Sequence, residues 1–184
     1  YITLEMAEER IAERIDANLL DVTMEDLHDM PKQLYEGKIT KLREKTQGQL
    51  VIKEYPTASA HSGHFKSLMN ELALKKSFRP DVIFIDYLNI CASSRFKGGN
   101  ISSYFYVKAI AEELRGLAVE FNVPIFSATQ TTRTGYVSTD IGLEDTSESF
   151  GLPATADFMF ALISNEELEA CLLYTSDAAD DLWC

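Results

Sequence analysis

Three residues of this 184-residue sequence stand where α/β proteins do chemistry: Glu5, Asp86 and Gln130. Each follows an apolar or β-branched run, respectively Tyr1 to Leu4, Val82 to Ile85 and Ile125 to Thr129. Ligands of open α/β sheets sit beyond the carboxyl ends of the strands, so on neighbouring strands these side chains would meet on one rim. Asp86 offers a rigidly placed carboxylate, which suits a hard, hydrated Mg²⁺. Glu5 stands on a strand-to-helix turn, where a carboxylate can orient and deprotonate a water attacking a phosphate. Gln130 can donate and accept at once, which suits it to contact a terminal phosphate or the attacking water. Singly, each has a plainer reading: a turn-starting Asp, an acid at a helix N-terminus, and a solvated strand end.

The elements that must position them alternate along the chain. Tyr1 to Leu4 reads as a strand entering a helix over Met6 to Leu20, with Ile11, Ile15 and Leu19 at helical spacing. Thr23 with Asp26 resembles a capping box and opens a helical segment to Lys45, expected to break at Pro31 and Gly37 and to close at Gly48. Leu50 to Tyr55 reads as a strand, and Ser62 to Lys76 as a helix with Phe65, Leu68, Leu72 and Leu74 near one face. The unbroken apolarity of Val82 to Ile85 predicts a strand buried on both faces. Ser103 to Asn122 is amphipathic through Val107, Ile110, Leu114 and Leu117, and Pro124 leads into the strand Ile125 to Thr129. Residues 131 to 149 are polar enough for a functional loop region, Phe158 to Ile163 reads as a last strand, and Asn165 as the cap of a short helix. This alternation predicts an open α/β sheet of mainly parallel strands flanked by helices, in one domain.

A formal charge of −12 argues against broad nucleic-acid binding, which Lys and Arg dominate, but leaves room for a locally basic loop. No apolar run reaches bilayer-spanning length, so a soluble, cytoplasmic protein is expected. Cys91, Cys171 and Cys184 show no metal-ligand spacing and suggest a reducing compartment. His28, His61 and His64 complete no ligand set, and capping or surface roles are expected of them.

Together, four segments carry a resemblance that none carries alone. Tyr1-Ile2-Thr3-Leu4-Glu5-Met6 resembles the Leu-Glu-Met segment of DnaB-like replicative DNA helicases, and Val82 to Leu88 their Walker B segment. Asn122-Val123-Pro124 through Ala128-Thr129-Gln130 looks like the stretch leading to the family's sensor Gln, and Gly151 to Phe158 like its later Ala-Asp segment. Val107 to Arg115 is similar to the replicative helicases of large tailed phages. The resemblance covers residues 1 to about 170 and implies a RecA-like ATPase domain, incomplete at both ends. It also implies ATP and Mg²⁺ as cofactors, with Glu5 and Gln130 catalytic and Asp86 on the Mg²⁺ side through water. The implied partners are single-stranded DNA, five further copies in a hexamer, a primase and a helicase loader, in the cytoplasm of a bacterial host cell.

By the same resemblance, loops facing a ring's channel would grip DNA. Arg95 and Lys97 beside Phe96, and Arg133 near Tyr136, are the candidates, although either aromatic can instead pack inward. The family's Gly-rich phosphate loop ending in Lys-Ser or Lys-Thr is not found in these 184 residues, nor is its arginine finger, so the chain by itself is expected not to turn over ATP. Cys171 to Asp180 resembles one reading frame of transposon adapter DNA used in sequencing libraries, so residues 171–184 are expected to be foreign to the domain. Without their three acids, Asp177, Asp180 and Asp181, the charge becomes −9. Two other readings stay open: another RecA-like ATPase of recombinase or clock type, and an inactive α/β binding or assembly module.

Overall fold

Among the described residues, four parallel strands are laid side by side in the order β2-β1-β3-β4, with β1 Ile2–Thr3, β2 Lys53–Glu54, β3 Ile83–Asp86 and β4 Ile125–Ser127. The computed structural model describes residues 1–96, 101–130 and 151–162. Ile2 lies opposite both Lys53 and Ile85, and Ile83 lies opposite Ile125. Around the sheet run α1 Glu8–Leu20, α2 Met24–Asp29, α3 Lys32–Lys45, α4 Ser62–Lys76, α5 Ser103–Phe121 and α6 Gly151–Thr155, with a 3-10 turn at Leu88–Ile90. This is the parallel, helix-flanked architecture that the alternating pattern predicts.

Local signals set the helix ends. Glu8 and Glu9 place negative charge in the first turn of α1, where the helix dipole favours it. The Thr23 hydroxyl caps α2 by accepting from the Asp26 N–H at 3.0 Å, but it also donates to the Asp26 carboxylate at 2.7 Å, so the reciprocal half of the box is altered. Pro31 does separate α2 from α3, because its ring cannot continue the preceding helix. Gly37 breaks nothing: it lies within α3, and nothing stands within 4 Å of where a Cβ would be. The helix ends at Thr46 rather than Gly48, with the Thr46 N–H and hydroxyl both donating to the Leu42 carbonyl, at 3.0 and 2.8 Å. Asn122, at φ 53°, closes α5, and its N–H donates to the carbonyls of Ala118 and Val119.

With strands of two to four residues, the sheet depends on side-chain burial more than on its ladder. Ile2, Leu4, Ile83 and Ile85 join one core with Phe65 and Met69 of α4 and Val107, Ile110, Leu114 and Leu117 of α5. Each such side chain contributes about 1.5–3 kcal/mol when fully buried. In α4 the inward positions are Phe65, Met69 and Leu72, whereas Leu74, expected on that face, is 86% exposed because nine residues from Phe65 is half a turn off the stripe.

Two further expectations are corrected. β3 is not buried on both faces among the described residues: Ile83 and Ile85 point into the core, while Phe84 is 43% exposed and stacks on Phe126 with centroids 5.2 Å apart. The helices α4 and α5 contribute to the core on the isoleucine side only. Of the expected last strand, residues 158–162 are not in the sheet, which ends at β4 as described. Phe158, Phe160 and Leu162 are 79%, 67% and 91% exposed, and a strand needs a neighbour to take its backbone hydrogen bonds. Leu50 to Tyr55 contracts to Lys53–Glu54 for the same reason, β2 having a described neighbour only in β1. Ile163, Asn165, the 131–149 loop region and the tail lie outside the described residues.

Candidate active site

Because β1, β3 and β4 are adjacent and parallel, their carboxyl ends form one edge, and Glu5, Asp86 and Gln130 all leave from it. Asp86 is in register with Thr3, two residues before Glu5, and Ser127, three before Gln130, is in register with Ile85.

Glu5 is exposed between two fastened neighbours. Leu4 is fully buried, its N–H donates to the Asp86 carbonyl at 3.0 Å, and its carbonyl accepts from the Thr57 hydroxyl at 2.6 Å. On the other side the buried Thr3 hydroxyl donates to the Met6 carbonyl at 2.8 Å and accepts from the Met6 N–H at 3.0 Å. The turn is thus rigid while the carboxylate it carries faces solvent.

The half-buried Asp86 carboxylate accepts from the Tyr1 hydroxyl at 2.8 Å. Burial, then this hydrogen bond and the charge of Asp86, push the Tyr1 phenol up to about 12, so it stays a donor across the working range. A hollow of about 260 Å³ lies beside the pair, with Arg14 and Asn18 of α1 in its wall. Asp86–Tyr87 is a cis peptide. The chain then turns back toward β4: the Leu88 N–H donates to the Ala128 carbonyl at 3.2 Å and the Thr129 hydroxyl to Asn89 Oδ1 at 2.8 Å. The exposed Gln130 donates through Nε2 to the Tyr87 hydroxyl at 3.2 Å. The residue after Asp86 therefore touches Gln130, which ties the ends of β3 and β4 to each other.

Tyr1, Thr3, Tyr87, Asn89 and Thr129 were not singled out from the sequence. Tyr1 and Asp86 are 85 positions apart, and no local spacing signals such a pair. The Thr3 pattern is local, a hydroxyl three residues before a backbone group at a strand-to-helix turn, and that signal was available.

Of the basic loop candidates, Arg95 is described and Lys97 and Arg133 lie outside the described residues. The exposed Arg95 guanidinium pairs with the Glu112 carboxylate of α5. Phe96 packs toward Tyr106, ring centroids 6.5 Å apart, which is the inward alternative for that aromatic. His61 caps α4 by accepting from the Gly63 N–H at 3.0 Å, as a capping role requires. Among the described residues no three His, Cys, Asp or Glu are grouped to hold a metal, and no helix is long and apolar enough to cross a membrane.

Comparison with known proteins agrees with this layout. The family described as "DnaB-like helicase C terminal domain" matches residues 1–170. The chain is similar to the DnaB-like replicative helicase of Enterobacteria phage T4, 51% identical over 173 residues, covering 92% of this chain and 36% of that protein. It is also similar to the "Probable plasmid replicative DNA helicase" of Chlamydia trachomatis, 34% identical over 138 residues, covering 72% of this chain and 28% of that one. Among solved structures, an ATPase domain superposes with a TM-score of 0.67 at 18% identity, over 85% of this chain and 55% of that one. A DnaB-like replicative helicase, solved with attention to its interactions with primase, superposes with a TM-score of 0.65 at 19% identity, over 85% and 38% of the two chains. These structural likenesses show a shared fold. The chain spans 36% and 28% of the lengths of the two curated relatives.

Proposed function

We infer, since the chain belongs to the DnaB-like helicase C-terminal domain family, that residues 1–170 are part of the motor of an ATP-dependent replicative DNA helicase. Such a motor couples ATP hydrolysis to movement along one DNA strand at the replication fork, in the cytoplasm of a bacterial host. Residues 171–184 are, in this reading, foreign to the domain. The observation that carries the reading is the shared rim: three neighbouring parallel strands deliver a carboxylate, a second carboxylate and an amide to one edge.

In the proposed mechanism Glu5 accepts a proton from the water that attacks the γ-phosphate. Its fastened turn fixes the carboxylate's origin, and its exposure leaves both oxygens accessible to that water. Gln130 contacts the γ-phosphate or the water, and on doing so gives up Tyr87, so that the nucleotide state is felt at the segment following β3. Asp86 would hold the Mg²⁺, through water: its half-buried carboxylate, steadied by Tyr1, is the hard oxygen donor that such an ion takes. When bound, Mg²⁺ would supply positive charge that offsets the negative charge of the nucleotide's phosphates. Arg95 would meet the DNA backbone by exchanging Glu112 for a phosphate. ATP would lie between copies in a homo-hexamer, and a primase and a loader would dock elsewhere on the ring.

The test is single-stranded-DNA-stimulated ATP hydrolysis by the full-length protein that carries this segment. Glu5→Gln and Asp86→Asn are each expected to lower it by at least about a hundredfold. Undiminished turnover in both variants would overturn the assignment. The 184-residue chain itself, which contains no Gly-rich Lys-Ser or Lys-Thr loop, is expected to show no magnesium-dependent turnover.

A further inference from the structure

Beside the rim, the segment after the 3-10 turn folds around an anion of its own. The Glu113 carboxylate of α5 accepts from the Ser93 hydroxyl at 2.7 Å, from the Ser94 hydroxyl at 2.7 Å, and from the Ser94 N–H at 3.0 Å to each oxygen. The Arg95 N–H adds a longer contact at 3.4 Å, and the Ser62 hydroxyl at the start of α4 donates at 2.8 Å. Successive backbone N–H groups turned toward one point, with hydroxyls around them, make the kind of nest that proteins use to hold phosphates. Here a side chain of the same molecule fills it. Burial pushes the Glu113 carboxyl upward, but the hydrogen bonds from Ser93, Ser94 and Ser62 outweigh it and hold the group below the ordinary carboxylate range.

The next residue along α5 acts differently. Glu112 takes the Arg95 guanidinium and no backbone group in the contacts described, so it holds the charged head and leaves the loop's path alone. Two adjacent acids thus divide one loop between them: Glu113 fixes the backbone from which Arg95 projects, and Glu112 occupies the guanidinium.

We propose that Glu113 is a positioning residue for DNA binding: by filling the nest it sets the loop geometry that presents Arg95, so the contact depends on an acid that does not itself touch DNA. This rests on the reading of Arg95 as a DNA contact. The sign of the effect separates it from plain electrostatics. Removing any acid near a polyanion site should strengthen binding, and Glu112→Gln should do that, whereas Glu113→Gln should weaken it.

The experiment is fluorescence anisotropy of a labelled oligo-dT with the full-length protein that carries this segment, titrated across a range of salt. Glu113→Gln is expected to weaken binding by about three- to fivefold, the scale of one exposed charge contact. It should also lower the salt slope by about 0.7, as losing one phosphate contact to a single strand does. Arg95→Ala should do the same, and the double variant should be no weaker than Arg95→Ala alone, which a general loss of stability would not produce. Tighter binding by Glu113→Gln, or losses that add in the double variant, overturns the proposal. If Arg95→Ala leaves affinity unchanged, or the full-length parent protein does not bind, the reading of Arg95 falls and the proposal with it. If Arg95→Ala weakens binding and Glu113→Gln does not, the proposal alone falls. Should Glu113→Gln not fold, Ser93→Ala removes one donor from the nest and is expected to weaken binding in the same direction, and unchanged or tighter binding by it overturns the proposal.

Discussion

At the sheet's rim, Glu5 faces solvent with its two neighbours fastened and its own carboxylate open, whereas at the base of the following loop Glu113 is held by three serines and two backbone N–H groups. The same functional group is used in opposite ways. A carboxylate that must meet a water or an ion gains from a rigid root and unused lone pairs, because bonds made inside the protein compete with those made in the reaction. A carboxylate that shapes a loop gains from having every lone pair taken. Gln130 lies between the extremes, with a single described side-chain bond, at 3.2 Å to Tyr87, that a better acceptor can replace.

The largest expected effects follow from that contrast. In the full-length protein Glu5→Gln should cut turnover by at least about a hundredfold while moving the unfolding free energy of the 184-residue chain by less than about 0.5 kcal/mol. Steady-state kinetics and urea titration measure the two halves, and a large stability loss would mean that Glu5 is as tied as Glu113. Glu113→Ala should show the converse for stability, a loss of about 1–2 kcal/mol. The full cost of leaving so many donors unpaired is not expected, since Ser94 is exposed and water can reach its groups.

A smaller effect is set by pH. Glu113 titrates lower in the folded chain than in the unfolded one, so its charge stabilises the fold above the ordinary carboxylate range. That contribution is lost as pH falls through the depressed folded value. The gap in urea midpoint between the parent chain and Glu113→Gln should therefore be constant near neutrality and narrow toward pH 3. A gap that widens in acid contradicts the assignment. The smallest effect concerns Cys91, whose thiol is pushed up to about 12 by burial first and by the charge of Glu113 second. Mass-spectrometric mapping after alkylation at pH 8 should find Cys91 unmodified until the chain unfolds. Glu113→Gln should barely change that protection, because burial is the larger cause.

Legibility differed with the range of the interaction. The helix Ser62–Lys76 and the buried stripe Val107, Ile110, Leu114 and Leu117 were readable to the residue, since helical spacing is a local property. Glu5, Asp86 and Gln130 were readable as strand ends, and four segments in register gave the family. The strand pattern over Leu50 to Tyr55 is longer than the strand that forms, and the one over residues 158–162 forms none, because an apolar run says that a segment suits a sheet without saying which neighbour pairs with it. The carboxylate of Glu113 looked like one more solvated charge on α5, and only the fold brings Ser62, 51 positions away, against it.

By itself, then, the sequence determined the order of strands and helices as far as β4, the identity of the residues at the strand ends and the family, all of which depend on short-range pattern. The tertiary structure decided which strands are neighbours, that Phe84 and Phe126 share an exposed face, that Tyr1 steadies Asp86, and that one acid of α5 holds a backbone while the next holds an arginine. Those outcomes depend on contacts between residues tens of positions apart, and such contacts exist only once the core has closed.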